Sequence, residues 1–123
     1  MAQQQLNVFG LPITVCSCKP LTGFYRTGHC IHTAEDEGKH TVCAIMDKPF
    51  LVYSLLQGND LSTPRPEWNF PGLQPGDQWC LSVNRWRDAY HAAIAPQVNL
   101  EATNERVLEV VPLDVLLRFA YKR

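Results

Sequence analysis

Between Asn59 and Asp77 the chain carries Pro64, Pro66, Pro71 and Pro75. Each proline removes a backbone donor, fixes its own φ and biases the preceding residue towards extended geometry. Neither a helix nor a central strand can run through such a stretch. The same segment holds Leu61, Trp68, Phe70 and Leu73, too much apolar surface for a floppy linker. A loop of this length inside a small domain is ordinarily either functional or disordered. Here the prolines restrict the unfolded ensemble and the aromatics can seat the loop on the body of the domain. The expectation is an ordered loop over 59–77 without helix or strand, with at least one of Trp68 and Phe70 mostly buried.

Regular structure must then come from the flanks. Residues 6–9 and 13–16 read as short strands about the Gly10-Leu11-Pro12 turn, and 23–26 as a brief strand among turn residues. The apolar run 41–46 reads as a buried strand. Asp47 is placed to cap a helix with Pro49 in its first turn, ending near Gly58. Residues 78–83 read as a strand, followed by a helix capped by Asn84 that runs to about Ile94 and stops before Pro96. Residues 97–102 and 107–111 read as a strand pair. A last helix follows Pro112, with Leu113, Leu116, Leu117 and Ala120 on one face. With 123 residues, 46% of them hydrophobic, one core is expected. The fold class is α+β: one compact domain over 1–123, with short, mostly antiparallel strands and about three short helices. Residues 1–5 are expected to be disordered.

The net charge of -1 lacks the basic excess of a nucleic-acid binder. No apolar run reaches the ~18 residues of a membrane span, and the N-terminus lacks a secretory pattern. A cytoplasmic protein follows as the expectation, with no nucleic-acid partner, no membrane partner and no cofactor. Five cysteines, Cys16, Cys18, Cys30, Cys43 and Cys80, form an odd set. In a reducing compartment they are expected as free thiols, with a disulfide framework the least expected arrangement and metal not needed for folding. Cys43 and Cys80, inside apolar strands, read as small buried hydrophobes.

Several words of the chain are distinctive together. They include Pro20-Leu21-Thr22-Gly23-Phe24-Tyr25-Arg26, His40-Thr41-Val42-Cys43-Ala44, and the long run from Gly58 through Asn59-Asp60-Leu61-Ser62-Thr63-Pro64-Arg65-Pro66 to Glu67. Phe70-Pro71-Gly72-Leu73, Trp79-Cys80-Leu81 and Leu100-Glu101-Ala102-Thr103 follow. From Leu6 onward the chain resembles the bacterial domain-of-unknown-function family numbered 2237. The resemblance implies a single free-standing domain and brings no activity with it. It also implies cysteines at positions 29 and 82 and a histidine at 104, where this chain has His29, Ser82 and Asn104. That departure weakens any mechanism built on paired thiols at 29–30 or 80–82.

Three constellations carry chemistry. Cys16, Cys18, His29, Cys30, His32, His40 and Cys43 fall within 28 residues. Their spacing is not that of Cys-x2-4-Cys zinc knuckles, so no metal site is expected. If one exists, its ligands are Cys16, Cys30, His40 and Cys43. Cys30, between two histidines and near Arg26, is the candidate reactive thiol. The loop supplies the third group: Asn59, Asp60, Thr63, Arg65, Trp68 and Asp77, which build either a pocket rim or a rigid lid closed by Asx-type bonds. Ser54, Ser62 and Ser82 lack a glycine-flanked nucleophile elbow.

The leading expectation is a loop-built polar pocket that binds, or transforms, a small or anionic molecule. His40 is its titratable group because histidine changes charge near neutral pH. Arg65 is the anion clamp and Asp60 the orienting carboxylate. The rival reading is an interaction module docking through Trp68, and a third is a Cys/His zinc or thiol-redox domain.

Overall fold

A computed structural model of the chain describes residues 5–121. Its centre is a two-stranded antiparallel ribbon, β1 (His40–Ile45) and β2 (Gln78–Ser82). Cys43 faces Cys80, Ala44 faces Trp79 and Val42 faces Leu81, with an irregularity between His40 and Val42. Successive side chains of a strand point to opposite faces, and here both faces are buried. Val42, Ala44, Trp79 and Leu81 enter the main apolar core, while Cys43 and Cys80 enter a second, smaller cluster.

Three helices close the main core: α1 (Lys48–Leu56), α2 (Val83–His91) and α3 (Leu113–Leu117). Asp47 caps α1, its Oδ1 accepting from Phe50 N at 2.8 Å, and Pro49 lies in the first turn. Phe50 and Leu51 from α1, Val83, Trp86 and Ala89 from α2, and Leu116 from α3 meet the ribbon. This is the α+β domain expected, with helices in the three places expected.

Five expected strands do not form. Residues 6–9 make only isolated bridges, Leu6 with Pro12 and Asn7 with Asn104, and residues 13–16 make none. The cause is the buried side chain of Asn7, whose Oδ1 accepts from Phe9 N and Leu11 N while Nδ2 donates to Glu101 O. Local side-chain bonding thus replaces a strand ladder. In 97–102 only Val98 pairs, with Ala44 and Ala120. Thr103 Oγ1 donates to Asn99 O, and Leu100–Ala102 tightens into a 3₁₀ turn. Residues 107–111 lie mostly in a second such turn, Glu105–Glu109, capped where Asn104 Oδ1 accepts from Arg106 N. The 23–26 segment is likewise a set of turns. Helix α2 begins at Val83, after Ser82, so Asn84 lies inside it and does not cap it.

The 59–77 loop follows a defined path. Leu73 N donates to Leu61 O, Gly76 N to Met46 O, and Arg65 and Phe70 bond each other through their backbones. One 3₁₀ turn, Pro66–Trp68, interrupts it. Phe70 is partly buried against Trp79, with ring centroids 5.2 Å apart, whereas Trp68 remains 68% exposed. Of the N-terminal stretch expected to be disordered, residues 1–4 lie outside the described residues. Gln5 is held: its Oε1 accepts from His32 N and from Asn104 Nδ2. No helix among the described residues is long and apolar enough to cross a membrane.

Candidate functional site

The second cluster is where the chain's chemistry concentrates. The register of β1 and β2 sets Cys43 and Cys80 opposite each other on one face, and residues 16–30 lay Cys16 and Cys30 over them. Cys16 is bonded to Cys43, with Cα atoms 5.7 Å apart, and Cys30 to Cys80, with Cα atoms 5.3 Å apart. All four are buried, Cys30 and Cys43 completely. The sulfurs of Cys16, Cys30 and Cys80 lie within 4.8 Å of one another, although they belong to two different disulfides. Cys18 is the exposed free thiol.

The expectation of five free cysteines is therefore overturned. Cys43 and Cys80 are small buried groups, as read from their strands, but each is covalently paired. The partners are 27 and 50 residues away, and no local pattern announces a bond at that range. Cys30 is not a reactive thiol beside His29 and His32; it is half of a buried disulfide.

Buried polar side chains hold the cluster in place. Thr22 Oγ1 accepts from Cys80 N at 2.8 Å, Thr103 Oγ1 accepts from Cys43 N at 3.1 Å, and Asn104 Nδ2 donates to Cys30 O at 3.0 Å. Thr22, Thr103 and Asn104 are each almost wholly buried. Because an unmet polar group in such a place is costly, these bonds specify where three of the four cysteines sit. Sequence reasoning missed all three residues. Gln78 Oε1 lies 3.3 Å from Cys43 Sγ, placed to accept a thiol hydrogen whenever that sulfur is reduced.

The remaining metal candidate, His40, is engaged elsewhere. Its Nδ1 lies 2.8 Å from Asp36 Oδ1, and its backbone N donates to Asp36 Oδ2. The Asp36 side chain is 1% exposed while that of His40 is 40% exposed. A buried carboxylate that accepts from Nδ1 fixes the ring so that Nε2 is the free nitrogen. Phe24 stacks on the ring, with centroids 6.4 Å apart. This dyad is built from the acidic run Glu35-Asp36-Glu37, whose middle member turns inward.

The loop residues make local bonds. Asp60 Oδ1 accepts from Ser62 N and Thr63 N, and Asp77 Oδ2 accepts from Gln74 N. Asn59 O accepts from the Ser54 hydroxyl. Arg65 is exposed and its guanidinium has no ion pair or hydrogen bond among the described residues. The Thr63 hydroxyl and amide, with the Ser62 amide and the nearby Arg65 charge, hold the Asp60 carboxyl below its ordinary range. A lowered folded-state value means that Asp60 contributes stability well above pH 3.8 and loses it as pH falls through the lower folded value. The slope of stability against pH should therefore be shallower in Asp60→Asn than in the wild type over that acidic window and equal near neutrality, because the variant lacks the contribution at every pH.

His40 belongs to the Asp36 dyad and Asp60 and Arg65 to the loop. The better-formed clefts lie along α1 and beside Glu101 and Glu105, and none of them is lined by His40, Asp60 or Arg65.

No curated protein matches the chain. Residues 6–120 match the family described as uncharacterized protein conserved in bacteria (DUF2237), and with nearly its whole length matched the chain belongs to that family.

Proposed function

We propose that the domain is a thiol-redox module whose folded stability is set by the oxidation state of its buried cysteine cluster. The observation that carries this reading is the meeting of four cysteines, from three distant stretches of chain, in one framed site. Each disulfide closes a long loop, 27 and 50 residues, and cross-links of that span contribute about 3–5 kcal/mol each in the chain-entropy account. Set against a typical total of about 5–15 kcal/mol, the pair controls a large share of the stability. Cys16, the least buried of the four at 5% exposure, is where an incoming thiolate would attack. Exchange then proceeds through a mixed disulfide, releasing Cys43 as a thiol. The test is alkylation of native protein after exposure to a graded dithiol buffer. Thiols should appear in pairs above the single Cys18 and disappear again on oxidation. Reaction of Cys18 alone, until denaturant is added, would contradict the reading.

A second reading has its own observation, the Asp36–His40 dyad. There a fixed imidazole with a free Nε2 binds, or exchanges a proton with, a small or anionic molecule, and the unpaired Arg65 is a separate anion contact. Arg65→Ala should then abolish anion binding while moving stability by no more than about 0.5 kcal/mol, the usual range for an exposed side chain without partners. A loss of about 1–3 kcal/mol would mark Arg65 as a structural clamp instead. The exposed Trp68 supports docking of a protein through the loop, a reading that Trp68→Ala tests by loss of partner binding.

A further inference from the structure

We infer that the cluster, once reduced, is a four-thiolate site for a soft divalent metal, zinc foremost, formed by Cys16, Cys30, Cys80 and Cys43. This rests on the thiol-redox reading and adds what the reduced state binds. A dithiol reductant breaks each S–S bond by giving up two electrons and its two thiol protons, becoming a disulfide itself and leaving two cysteine thiols. Both steps together leave four thiols in a dry site. One Zn²⁺ then replaces the four protons, which return to solvent, and four Zn–S bonds form.

The geometry favours this outcome. Tetrahedral zinc with Zn–S near ~2.3 Å sets its sulfurs about 3.8 Å apart. The sulfurs of Cys16, Cys30 and Cys80 already lie within 4.8 Å of one another, so rotation about side-chain bonds brings them to a common centre. Cys43, directly across the ribbon from Cys80, completes the set. The bonds from Thr22, Thr103 and Asn104 to the cysteine backbones do not involve sulfur, so they survive reduction and keep the ligands converged. A metal there would tie together the same stretches that the disulfides tie. It would therefore preserve the fold under conditions that remove them. The spacing predicts no metal site, with Cys16, Cys30, His40 and Cys43 named only as the ligands if one exists; here Cys80 takes the place of His40, whose Nδ1 is bonded to Asp36.

The experiment uses the full chain, reduced anaerobically with a phosphine, with Co²⁺ as the spectroscopic probe and Zn²⁺ as competitor. Expected are one Co²⁺ per chain, an intense thiolate-to-cobalt charge-transfer band with tetrahedral d–d absorption, and loss of both on adding one equivalent of Zn²⁺. Cys18→Ser should leave these bands intact, and the double variant Cys30→Ser/Cys80→Ser should lose them. Equal bands from the oxidised protein or from the double variant would overturn the site. So would a folded, reduced protein with five titratable thiols that binds no Co²⁺, although the redox reading would then stand. If the disulfides resist the reductant until the chain is denatured, both the redox reading and this site fall.

Discussion

Replacing Cys30 and Cys80 together by serine should destabilise the oxidised protein by about 2–5 kcal/mol, the usual cost of losing a native disulfide from a small domain. The bond closes a 50-residue loop and ties the turn-rich segment before β1 to the centre of β2. That segment has little else to hold it. Phe24 and Tyr25 are exposed, and the segment contributes Cys16, Thr22, Cys30 and Asp36 to the interior and no large apolar side chain. Unfolding followed by chemical denaturation, with the disulfide-bonded wild type as reference, measures the loss. A variant as stable as the wild type would show that the segment is retained by hydrogen bonds alone, and the cluster would not control stability.

A comparable loss, about 3–5 kcal/mol, is expected for Trp86→Ala. Trp86 is completely buried on α2 and stacks with Tyr90 at 5.8 Å, while the ring of Phe119 meets it edge-on at 5.2 Å. Its Nε1 donates to Pro96 O at 3.1 Å. Truncation leaves a cavity and an unpaired carbonyl in the same place, so Trp86→Phe should recover part of the loss but not the hydrogen bond. The redox behaviour of the cysteines should not change in Trp86→Phe, because Trp86 packs in the other core.

What was legible in the sequence follows from range. The Asp47-to-Gly58 punctuation encodes α1 through contacts between near neighbours, and so α1 was readable. The two strands of the ribbon were readable because each is a short apolar run bounded by turn or capping residues, which is also a local signal, but their pairing is not local. The loop was readable because prolines act on their own backbone. The short strands were misjudged because Asn7, Thr103 and Asn104 look like turn residues in sequence, yet they are buried and divert backbone bonds to their side chains. The Asp36–His40 dyad was half visible. His40 stands out as a titratable group, but its carboxylate is Asp36, four residues away in a turn, and not Asp60. The cysteine pairings depend on tertiary contacts across 27 and 50 residues, and only the fold reveals them. Asp60 and Asp77 make the Asx-type bonds of a lid, the more ordinary of the two roles that their sequence allows.

Disulfide mapping tests the central claim most directly. The oxidised protein, alkylated without reduction and digested, should yield peptides joined through Cys16–Cys43 and Cys30–Cys80, with the alkyl label on Cys18 alone. Label on all five cysteines, or a stable linkage through Cys18, would contradict the account.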